Sequence, residues 1–454
     1  MNRFIKNMVA VYLTALCFTA WGQTDCGARY AISALDLYGR VLPEEQRTTN
    51  FNPSLCLDDK SLSIVLDSMR TDGTATIITV YETDADDEVG LWQLGSGSNR
   101  ALWLNSQSAS YDDFFVRYRS TTERGVVIHS MAYRYPSVES TYNGHDTLML
   151  GLEGSNMGKK NLCMMLYFPG VLPGDKQRRL ESVLAVRYGA LLHGPYIDRN
   201  MYTLWDTKES DSAYSHGVCG IGRDVEFGLY QPKSMIRGDI LTIATADSLA
   251  DLDYVMLGSD GNALSLDGEA VYEDGRRYSS VARRWKLRAR TEGVSTEVNI
   301  LADLELPADR VRLMLSSDEE TKVLTPERGS LQFVDIEVRS GVDYILTLLV
   351  DEDKNEDQNE NEDQNGSFVA SSGGTVSVMP NPTTGKFTLD VLQDEEAEVE
   401  VRILDVNGRT VEHFTTDEKV SQYSYDGKLQ ASGIYYVTVS SNGRQKTIKL
   451  IVVR

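Results

Sequence analysis

The sequence predicts a mostly β protein made of several β-sandwich units, with one notable helix near residues 175–192. Short runs rich in β-branched and aromatic residues recur along the chain, as in Leu62–Leu66 and Thr76–Val80, and Gly, Asn and Asp separate them. Near the C-terminus, apolar and polar residues alternate with period two around Asn-Gly pairs, which is typical of β-hairpins. One stretch stands out because its apolar residues recur at helical spacing.

The chain has 454 residues and a formal net charge of −22. At roughly 100–200 residues per domain, this length predicts two to four domains. The excess of negative charge argues against nucleic acid or anionic lipid as the main partner, because both bind through clustered Lys and Arg.

The first element, residues 1–22, has the pattern of a secretory signal peptide. Arg3 and Lys6 precede the uncharged, mostly apolar run Met8–Ala20, which is shorter than the about 20 residues that a membrane-spanning helix needs. We therefore expect export, cleavage and a mature chain that begins at Gln23, rather than a retained anchor.

The mature chain would keep four cysteines, namely Cys26, Cys56, Cys163 and Cys219. An even number in an exported protein predicts two disulfides, for which three connectivities are open. Loop length favours Cys26–Cys56 with Cys163–Cys219. Their spacing does not fit a zinc site.

Residues 23–174 form the next predicted domain. Strand-like runs continue through Phe114–Tyr118 and Leu148–Leu150 to a closing run at Leu162–Pro169. In the spacing of its strand-like runs and in its closing run, the region resembles a concanavalin-like (laminin-G-type) jelly roll. This resemblance implies a lectin-like β-sandwich.

Residues 175–350 are predicted to start with the helix and to continue as a second β-rich domain. Asp175 is a plausible N-cap, and Leu180, Val183, Leu184, Tyr188 and Leu191 follow at helical spacing. The region resembles one found downstream of lectin-like folds in Bacteroidota surface proteins. The residues that carry this resemblance are Leu184–Gly189, Trp205-Asp206, Gly220–Asp224, Gly228-Leu229, Gln231, Lys233-Ser234 and Arg284-Trp285-Lys286.

An acidic linker is predicted at residues 351–366. Asp351–Asn365 holds eight acidic residues and one Lys but no apolar residue, so it cannot contribute to a core. It also lacks the Gly turn and the ligand spacing of an EF-hand calcium loop.

Residues 367–454 read as an immunoglobulin-like β-sandwich of about seven short strands. Phe387, Leu389 and Val391 alternate with polar residues, and Asn442-Gly443 supplies the turn of a final hairpin.

This last region also resembles the type A C-terminal sorting domain of proteins exported by the type IX secretion system of Bacteroidota. The matching residues include Pro380, Asn381, Pro382, Gly385, Asp405, Asn407, Gly408, Gly433, Tyr435 and Lys449. The resemblance implies contact with the type IX translocon, shuttle and sortase, cleavage near the linker, and attachment to surface lipopolysaccharide.

The common catalytic motifs are absent from the sequence, including G-x-S-x-G, H-E-x-x-H, the P-loop and a helix-opening G-x-G-x-x-G. Gly95–Ser98 is expected to be a hairpin turn, and Gly220–Asp224 a turn rather than a phosphate cradle. We therefore predict no enzyme and no catalytic residue.

Two features could bind a ligand. The acidic loop Glu82–Glu88 could hold calcium through Asp84, Asp86, Asp87 and Glu88, although a solvated turn is favoured, so no cofactor is predicted. A set of aromatic residues could stack on sugar rings but is expected to be core. Its members are Trp92, Trp103, Tyr111, Phe114, Phe115 and Tyr118.

The sequence thus favours a non-enzymatic surface protein, exported by the type IX route, that mediates adhesion or binds a glycan or a host protein. One alternative is an accessory or regulatory component of the secretion machinery itself. Another is a cryptic glycoside hydrolase, which would need two carboxylates about 5–10 Å apart in a cleft.

Overall fold

The structure is a computed structural model. It describes residues 11–13, 28, 30–33, 46–57, 61–67, 74–83, 88–96, 99–111, 114–117, 125–134, 145–151, 160–273, 275–304, 306–327, 330–351, 375–379, 383, 385–405, 409–416, 419–441 and 444–452. The chain divides into an N-terminal unit (1–368) and a C-terminal unit (369–454). Strands dominate both, which confirms the mostly β class. Within these described ranges, no helix is long and apolar enough to cross a membrane.

The first part of the N-terminal unit consists of two β-sheets. Its strands are β1 (Val11–Leu13), β2 (Tyr30–Ser33), β3 (Gln46–Thr49), β4 (Asn52–Cys56), β5 (Leu62–Asp67), β6 (Thr74–Thr83), β7 (Gly90–Ser96), β8 (Asn99–Asn105), β9 (Ser108–Tyr111), β10 (Phe114–Arg117), β11 (Gly125–Arg134), β12 (His145–Leu150) and β13 (Lys160–Pro169). One sheet has the order β1-β5-β12-β7-β8-β9-β10, and the other has the order β11-β6-β13-β4-β3, with β2 also paired to β13. Of the predicted signal peptide only β1 is described, and cleavage stays a prediction. Membership of the concanavalin-like class also stays a prediction.

The residues between these sheets form a hydrophobic core. Trp92 of β7 is fully buried there, and its ring packs edge-on against Tyr133, with 5.9 Å between the centroids. Its Nε1 donates a hydrogen bond to Thr79 Oγ1 at 3.0 Å. Trp92 is therefore a core residue, whereas Tyr118 and the side chains of Tyr111, Phe114 and Phe115 lie outside the described part.

The helix, α1, spans Gly174–Tyr188 and begins one residue earlier than expected. Its N-cap is Pro173, whose carbonyl oxygen accepts the first helical hydrogen bond, so the prediction of Asp175 as the N-cap is wrong. Asp175 instead lies in the first turn, where it pairs with Arg179 at 2.5 Å and complements the helix dipole. The helix ends at Gly189, whose φ of 68° suits glycine.

The second part of the N-terminal unit follows α1 and is also β-rich. Its strands are β14 (Pro195–Ile197), β15 (Thr203–Asp206), β16 (Gly217–Asp224), β17 (Leu229–Gln231), β18 (Lys233–Met235), β19 (Leu241–Thr245), β20 (Tyr254–Ser259), β21 (Leu266–Glu273), β22 (Arg276–Val281), β23 (Trp285–Arg290), β24 (Ser295–Ala302), β25 (Val311–Ser316), β26 (Thr321–Leu324), β27 (Gln332–Arg339) and β28 (Asp343–Asp351). The largest sheet has the order β17-β16-β20-β23-β28-β22-β21, and β25 joins it through β28 and carries β26. A second sheet has the order β18-β19-β24-β27, and β14 pairs with β15.

Strand β16 corrects the expectation that Gly220–Asp224 forms a turn. Its glycines face bulky side chains of β20: a Cβ on Gly222 would lie 2.5 Å from the Tyr254 ring, and one on Gly220 would lie 2.6 Å from Met256 Sδ. Here the glycines leave space for packing within a strand.

A single hydrophobic cluster joins the two parts of the N-terminal unit. It contains Ile78 and Phe168 from the first part, Leu180 of α1, and Trp205 and Met256 from the second part. Residues on both sides of position 174, where the sequence suggested a boundary, therefore share one core.

The C-terminal unit consists of two further sheets. Its strands are β29 (Thr375–Met379), β30 (Lys386–Ala397), β31 (Glu400–Asp405), β32 (Thr410–Thr415), β33 (Val420–Lys428), β34 (Gly433–Ser441) and β35 (Arg444–Val452). The orders are β29-β30-β33 and β32-β31-β34-β35. Apolar residues from both sheets, such as Leu389 and Val437, form its core. The predicted final hairpin is present as β34 and β35.

Candidate functional site

The candidate site of the C-terminal unit is the set of residues that resemble the sorting-domain motif. The Gly385 amide donates to Thr383 Oγ1 at 3.1 Å, and the Gly385 carbonyl accepts from the Leu429 amide at 2.8 Å. Gly385 therefore links the start of β30 to the end of β33. Pro380, Asn381 and Pro382 lie outside the described residues.

The remaining motif residues close turns and fill the core. Asp405 brackets the turn after β31, because its Oδ1 accepts from the Arg409 amide at 3.0 Å and its own amide donates to the Arg409 carbonyl at 2.9 Å. Tyr435 is buried, and its hydroxyl donates to the Ala431 carbonyl at 3.0 Å, just before Gly433. Lys449 of β35 pairs with Tyr436 of β34. Asn407 and Gly408 are outside the described residues.

In the N-terminal unit, the β3–β4 turn forms an unexpected contact site. Asn50 and Phe51 have φ values of 47° and 63°, a left-handed conformation that Asn adopts more readily than most residues. The Asn50 Nδ2 donates to the carbonyls of Val186 and Arg187 at 3.3 and 3.0 Å, and the Met235 amide donates to Asn50 Oδ1 at 3.1 Å. The Asn50 side chain thus caps the C-terminal end of α1 and the edge of β18.

Asn52 and Gln231 complete this contact. The Asn52 Nδ2 donates to the Arg187 carbonyl at 2.7 Å and to Gln231 Oε1 at 2.9 Å. The Gln231 Nε2 in turn donates to the Asn50 carbonyl at 3.0 Å. The Lys233 ammonium lies 4.6 Å from the centre of the Phe51 ring. Arg187, Gln231 and Lys233 are among the residues that carry the family resemblance of region 175–350. They therefore contact the β3–β4 turn of the first part.

A buried ion-pair network surrounds Asp211, which is fully buried. The Lys286 Nζ lies 2.6 Å from Asp211 Oδ1 and 2.7 Å from Asp343 Oδ2, and Arg288 pairs with both carboxylates. Burial would raise the pKa of Asp211, but the hydrogen bond from Lys286 and the contacts of Arg288 outweigh it and lower that pKa. Every charge has an opposite partner, so the network is suited to a structural role.

A second network holds two loops together through Arg199. Its guanidinium pairs with the fully buried Asp224 at 3.3 Å and with Asp251 at 2.5 Å. Burial raises the pKa of Asp224 despite the nearby Arg199. The neighbouring Met201 has a φ of 67°, so the loop before β15 contains a strained residue.

Two of the predicted disulfide cysteines are free thiols. Cys163 and Cys219 are both buried and unpaired, so the predicted Cys163–Cys219 disulfide is wrong. Cys163 lies in the core shared by the two parts of the unit, and burial raises the pKa of its thiol. Both side chains serve as small core residues. Cys56 is buried at the end of β4, and Cys26 lies outside the described residues.

The calcium prediction also falls largely outside the described part, because Asp84, Asp86 and Asp87 are not in it. Glu88 accepts a short hydrogen bond from Ser108 Oγ, and Glu82 is buried and pairs with Arg237 at 2.9 Å. In the described residues, no group of three or more His, Cys, Asp or Glu side chains is arranged to hold a metal ion.

The contact made by Asn50 and Asn52 was missed in the sequence. An Asn-x-Asn pair between two short runs signals a turn, but its partners Arg187 and Gln231 are more than 100 positions away. The Asp211 network was also missed, because its partners Lys286 and Arg288 are more than 70 positions away in the sequence.

Comparison with known proteins gives two family matches. Residues 176–343 match a family described as a domain of unknown function (DUF8202), and residues 377–453 match the secretion system C-terminal sorting domain. No curated protein matches the chain.

Several solved structures show weak similarity. A two-domain fibronectin type-III segment from chicken tenascin is 16% identical, covers 41% of this chain and 98% of its own, and has a TM-score of 0.16. A β-glucuronidase from Faecalibacterium prausnitzii is 12% identical, with coverage of 48% and 47% and a TM-score of 0.17. One from an uncultured Clostridium species is 12% identical, with 35% coverage of both chains and a TM-score of 0.16. The chain thus spans less than half of either enzyme, and at such TM-scores these similarities carry no conclusion about activity.

The sorting-domain match falls within the separately compact C-terminal unit. The chain therefore ends in a secretion system C-terminal sorting domain, the kind of tail that directs proteins to export by the type IX secretion system.

Proposed function

We propose that this chain is a non-enzymatic protein delivered to the cell surface by the type IX system, where its N-terminal unit binds a glycan or a protein. The observation that carries the proposal is the sorting-domain match at residues 377–453 within a unit that has its own core. A separate compact tail can be recognised without disturbing the core of the cargo.

Half-exposed apolar side chains on loops of the N-terminal unit support the proposal that this unit binds a partner. Met201, Tyr202 and Val225 are all about half exposed, on loops that Arg199 joins through Asp224 and Asp251. Binding residues are concentrated on loops that a rigid scaffold positions, which makes these exposed side chains candidates for a contact surface. Binding of another macromolecule would cover them at little conformational cost.

Export is tested with the full-length chain and a variant that ends at residue 366, each expressed in cells with and without a type IX system. We expect the full chain to be accessible to protease outside intact cells only when the system is present, and the shortened chain to stay in the periplasm. Surface display of the full chain in cells that lack the system would contradict the proposal.

Binding is tested with the exported chain on glycan arrays and on immobilised host matrix proteins. We expect saturable binding to at least one surface, weakened about tenfold or more by Tyr202→Ser, as expected when an aromatic contact residue is lost. Tyr272→Ser, at an exposed position on β21, is the matched control. Binding to none of these surfaces would contradict the proposed role.

A further inference from the structure

Strand β23 carries a row of cationic side chains on one face, because alternate residues of a strand share a face. Two of them, Lys286 and Arg288, pair with the carboxylates of Asp211 and Asp343. The row ends at Arg290, whose guanidinium forms neither an ion pair nor a hydrogen bond among the described residues. In a chain with a net charge of −22, such a cation is a candidate for binding an external anion.

The contact that Arg290 does make is with the ring of Tyr202. The central carbon of the guanidinium lies 4.3 Å from the centre of that ring. Tyr202 is 54% exposed, so the pair lies at the surface. A guanidinium above an aromatic ring keeps its N–H donors in its own plane. These donors are therefore available to an oxyanion, which a guanidinium can bind through two parallel hydrogen bonds.

The loop that presents Tyr202 is fixed by the buried carboxylate of Asp198. The Asp198 Oδ1 accepts from the amides of Asn200 and Tyr202 at 2.8 and 3.0 Å. The Asp198 amide donates to the Tyr202 carbonyl at 3.0 Å, and the Met201 amide donates to the Asp198 carbonyl at 3.1 Å. The backbone that carries Met201 and Tyr202 is thus set before a ligand arrives, which lowers the ordering cost of binding.

The carboxylates of the neighbouring loops are already held by another cation. Arg199 pairs with Asp224 at 3.3 Å, with Asp251 at 2.5 Å and with Glu226 at 3.9 Å. These acidic groups therefore have a partner of their own, and the charge of Arg290 is left for a ligand.

The chemistry of the pair favours an acidic sugar. Arg290 needs an oxyanion, and the Tyr202 ring and the Met201 side chain offer exposed apolar surface. An acidic sugar carries its carboxylate or sulfate group beside the C–H groups of its ring, which an aromatic ring can contact. A protein partner usually covers about 800 Å² around an apolar core. On the loops that Arg199 joins, the large exposed apolar side chains are Met201, Tyr202 and Val225, a surface that suits a sugar better.

We propose that Arg290 and Tyr202 form a binding site for an acidic polysaccharide. The Arg290 guanidinium binds a carboxylate or sulfate group, and the Tyr202 and Met201 side chains contact the adjoining sugar ring. This inference names the ligand class of the proposed binding function and rests on that function.

The first test measures binding of the full-length chain to three immobilised polymers, namely polygalacturonate, dextran sulfate and neutral dextran. We expect saturable binding to polygalacturonate, which carries carboxylates, or to dextran sulfate, which carries sulfates, and none to dextran. The affinities for the two charged polymers then identify the anionic group. The net charge of the chain opposes non-specific binding of polyanions, so binding to either one indicates a specific site. Binding to neither, or equally to dextran, would overturn the inference.

The second test compares two arginine variants. We expect Arg290→Gln to weaken polymer binding at least about tenfold, the effect expected when a charged hydrogen-bonding partner is lost. The matched control is Arg312→Gln, which should bind normally. Arg312 also lies above a tyrosine ring, that of Tyr278 at 5.7 Å, but its Nη1 donates to the carbonyls of Asp309 and Val311. Equal affinities of the two variants would overturn the site.

The third test uses the wild-type chain, so it does not depend on how a variant folds. Surface tyrosines are iodinated with and without the bound polymer, and mass spectrometry measures the modification. We expect the polymer to protect Tyr202 and to leave Tyr272, which is 71% exposed, unprotected. Absence of protection at Tyr202 would overturn the site.

Two further results separate this inference from the proposed function. If the chain binds a neutral glycan or a protein, and Tyr202→Ser weakens that binding whereas Arg290→Gln does not, only the acidic ligand is overturned. If poly-glutamate binds as tightly as either charged polysaccharide, an acidic protein replaces the polysaccharide as the ligand. Binding to no surface at all would overturn the proposed binding function as well.

Discussion

Asn50 contacts two separate segments of the N-terminal unit, the end of α1 and strand β18, through one amide group. It accepts from the Met235 amide and donates to the Val186 and Arg187 carbonyls at the end of α1. We predict that Asn50→Ala destabilises this unit by about 1–2 kcal/mol, because it removes the side-chain hydrogen bonds to the Val186 carbonyl and from the Met235 amide, while the Arg187 carbonyl keeps Asn52. Urea unfolding of residues 23–454 measures this effect. Asn200→Ala, at an exposed loop position, should change stability by less than about 0.5 kcal/mol. Equal effects of the two substitutions would show that the cap contributes no stability.

His129 makes stability depend on pH. It is buried on β11, and burial lowers its pKa to about 4, whereas an unfolded His titrates near about 6.5. Between these values the unfolded chain binds a proton that the folded chain does not, so stability rises with pH. We predict that His129 alone accounts for about 2 kcal/mol of the stability lost between pH 7 and pH 5. Unfolding at both pH values should show this loss reduced by that amount in His129→Gln and unchanged in His193→Gln, at an exposed position.

Strand β20 allows no side chain at Gly258. A Cβ there would overlap the Trp205 ring and the Tyr214 carbonyl oxygen, and the backbone oxygen cannot move aside as a flexible side chain can. We predict that Gly258→Ala lowers stability by about 1–3 kcal/mol or more through overpacking. The control is Gly293→Ala, where the nearest atom would be at an ordinary 3.6 Å. Thermal unfolding measures the stability loss of each variant. A Gly258→Ala protein as stable as the Gly293→Ala control would refute the packing argument.

The strands were predictable wherever a local pattern determines them. Alternation predicted β30, and the Asn442-Gly443 pair predicted the hairpin of β34 and β35. Strand β16 was misread because its glycines normally interrupt strands, and the reason they are tolerated lies across the sheet on β20. The start of α1 was misplaced because Asp175 suits both the N-cap and the first turn. Local sequence cannot choose between two positions that both suit the residue.

At the scale of the whole molecule, the extent of the C-terminal unit was predictable from the sequence, whereas the long-range contacts of the N-terminal unit were not. The C-terminal unit uses residues close in sequence and carries a recognisable motif, so its extent and its export role could be proposed from sequence. The N-terminal unit uses contacts such as Asn52 with Gln231, and its two ion-pair networks join residues far apart in the chain. No local pattern reports such pairings, so these contacts needed the structure.

The distribution of the cores predicts how the molecule unfolds. The core of the C-terminal unit is built from that unit's own residues, whereas the cluster around α1 draws on both sides of position 174. We expect two thermal transitions for residues 23–454, and a chain that ends at residue 368 should lose one and keep the other within about 1 °C, which is less than 1 kcal/mol would shift a unit of this size. A fragment of residues 23–174 should show no cooperative transition, because it exposes side chains such as Ile78, Val80, Leu166 and Phe168. At about 1.5–3 kcal/mol for each, that loss is on the order of 10 kcal/mol, comparable with the entire stability of a domain. Cooperative melting of the 23–174 fragment would instead show that the first sandwich is stable without the shared core.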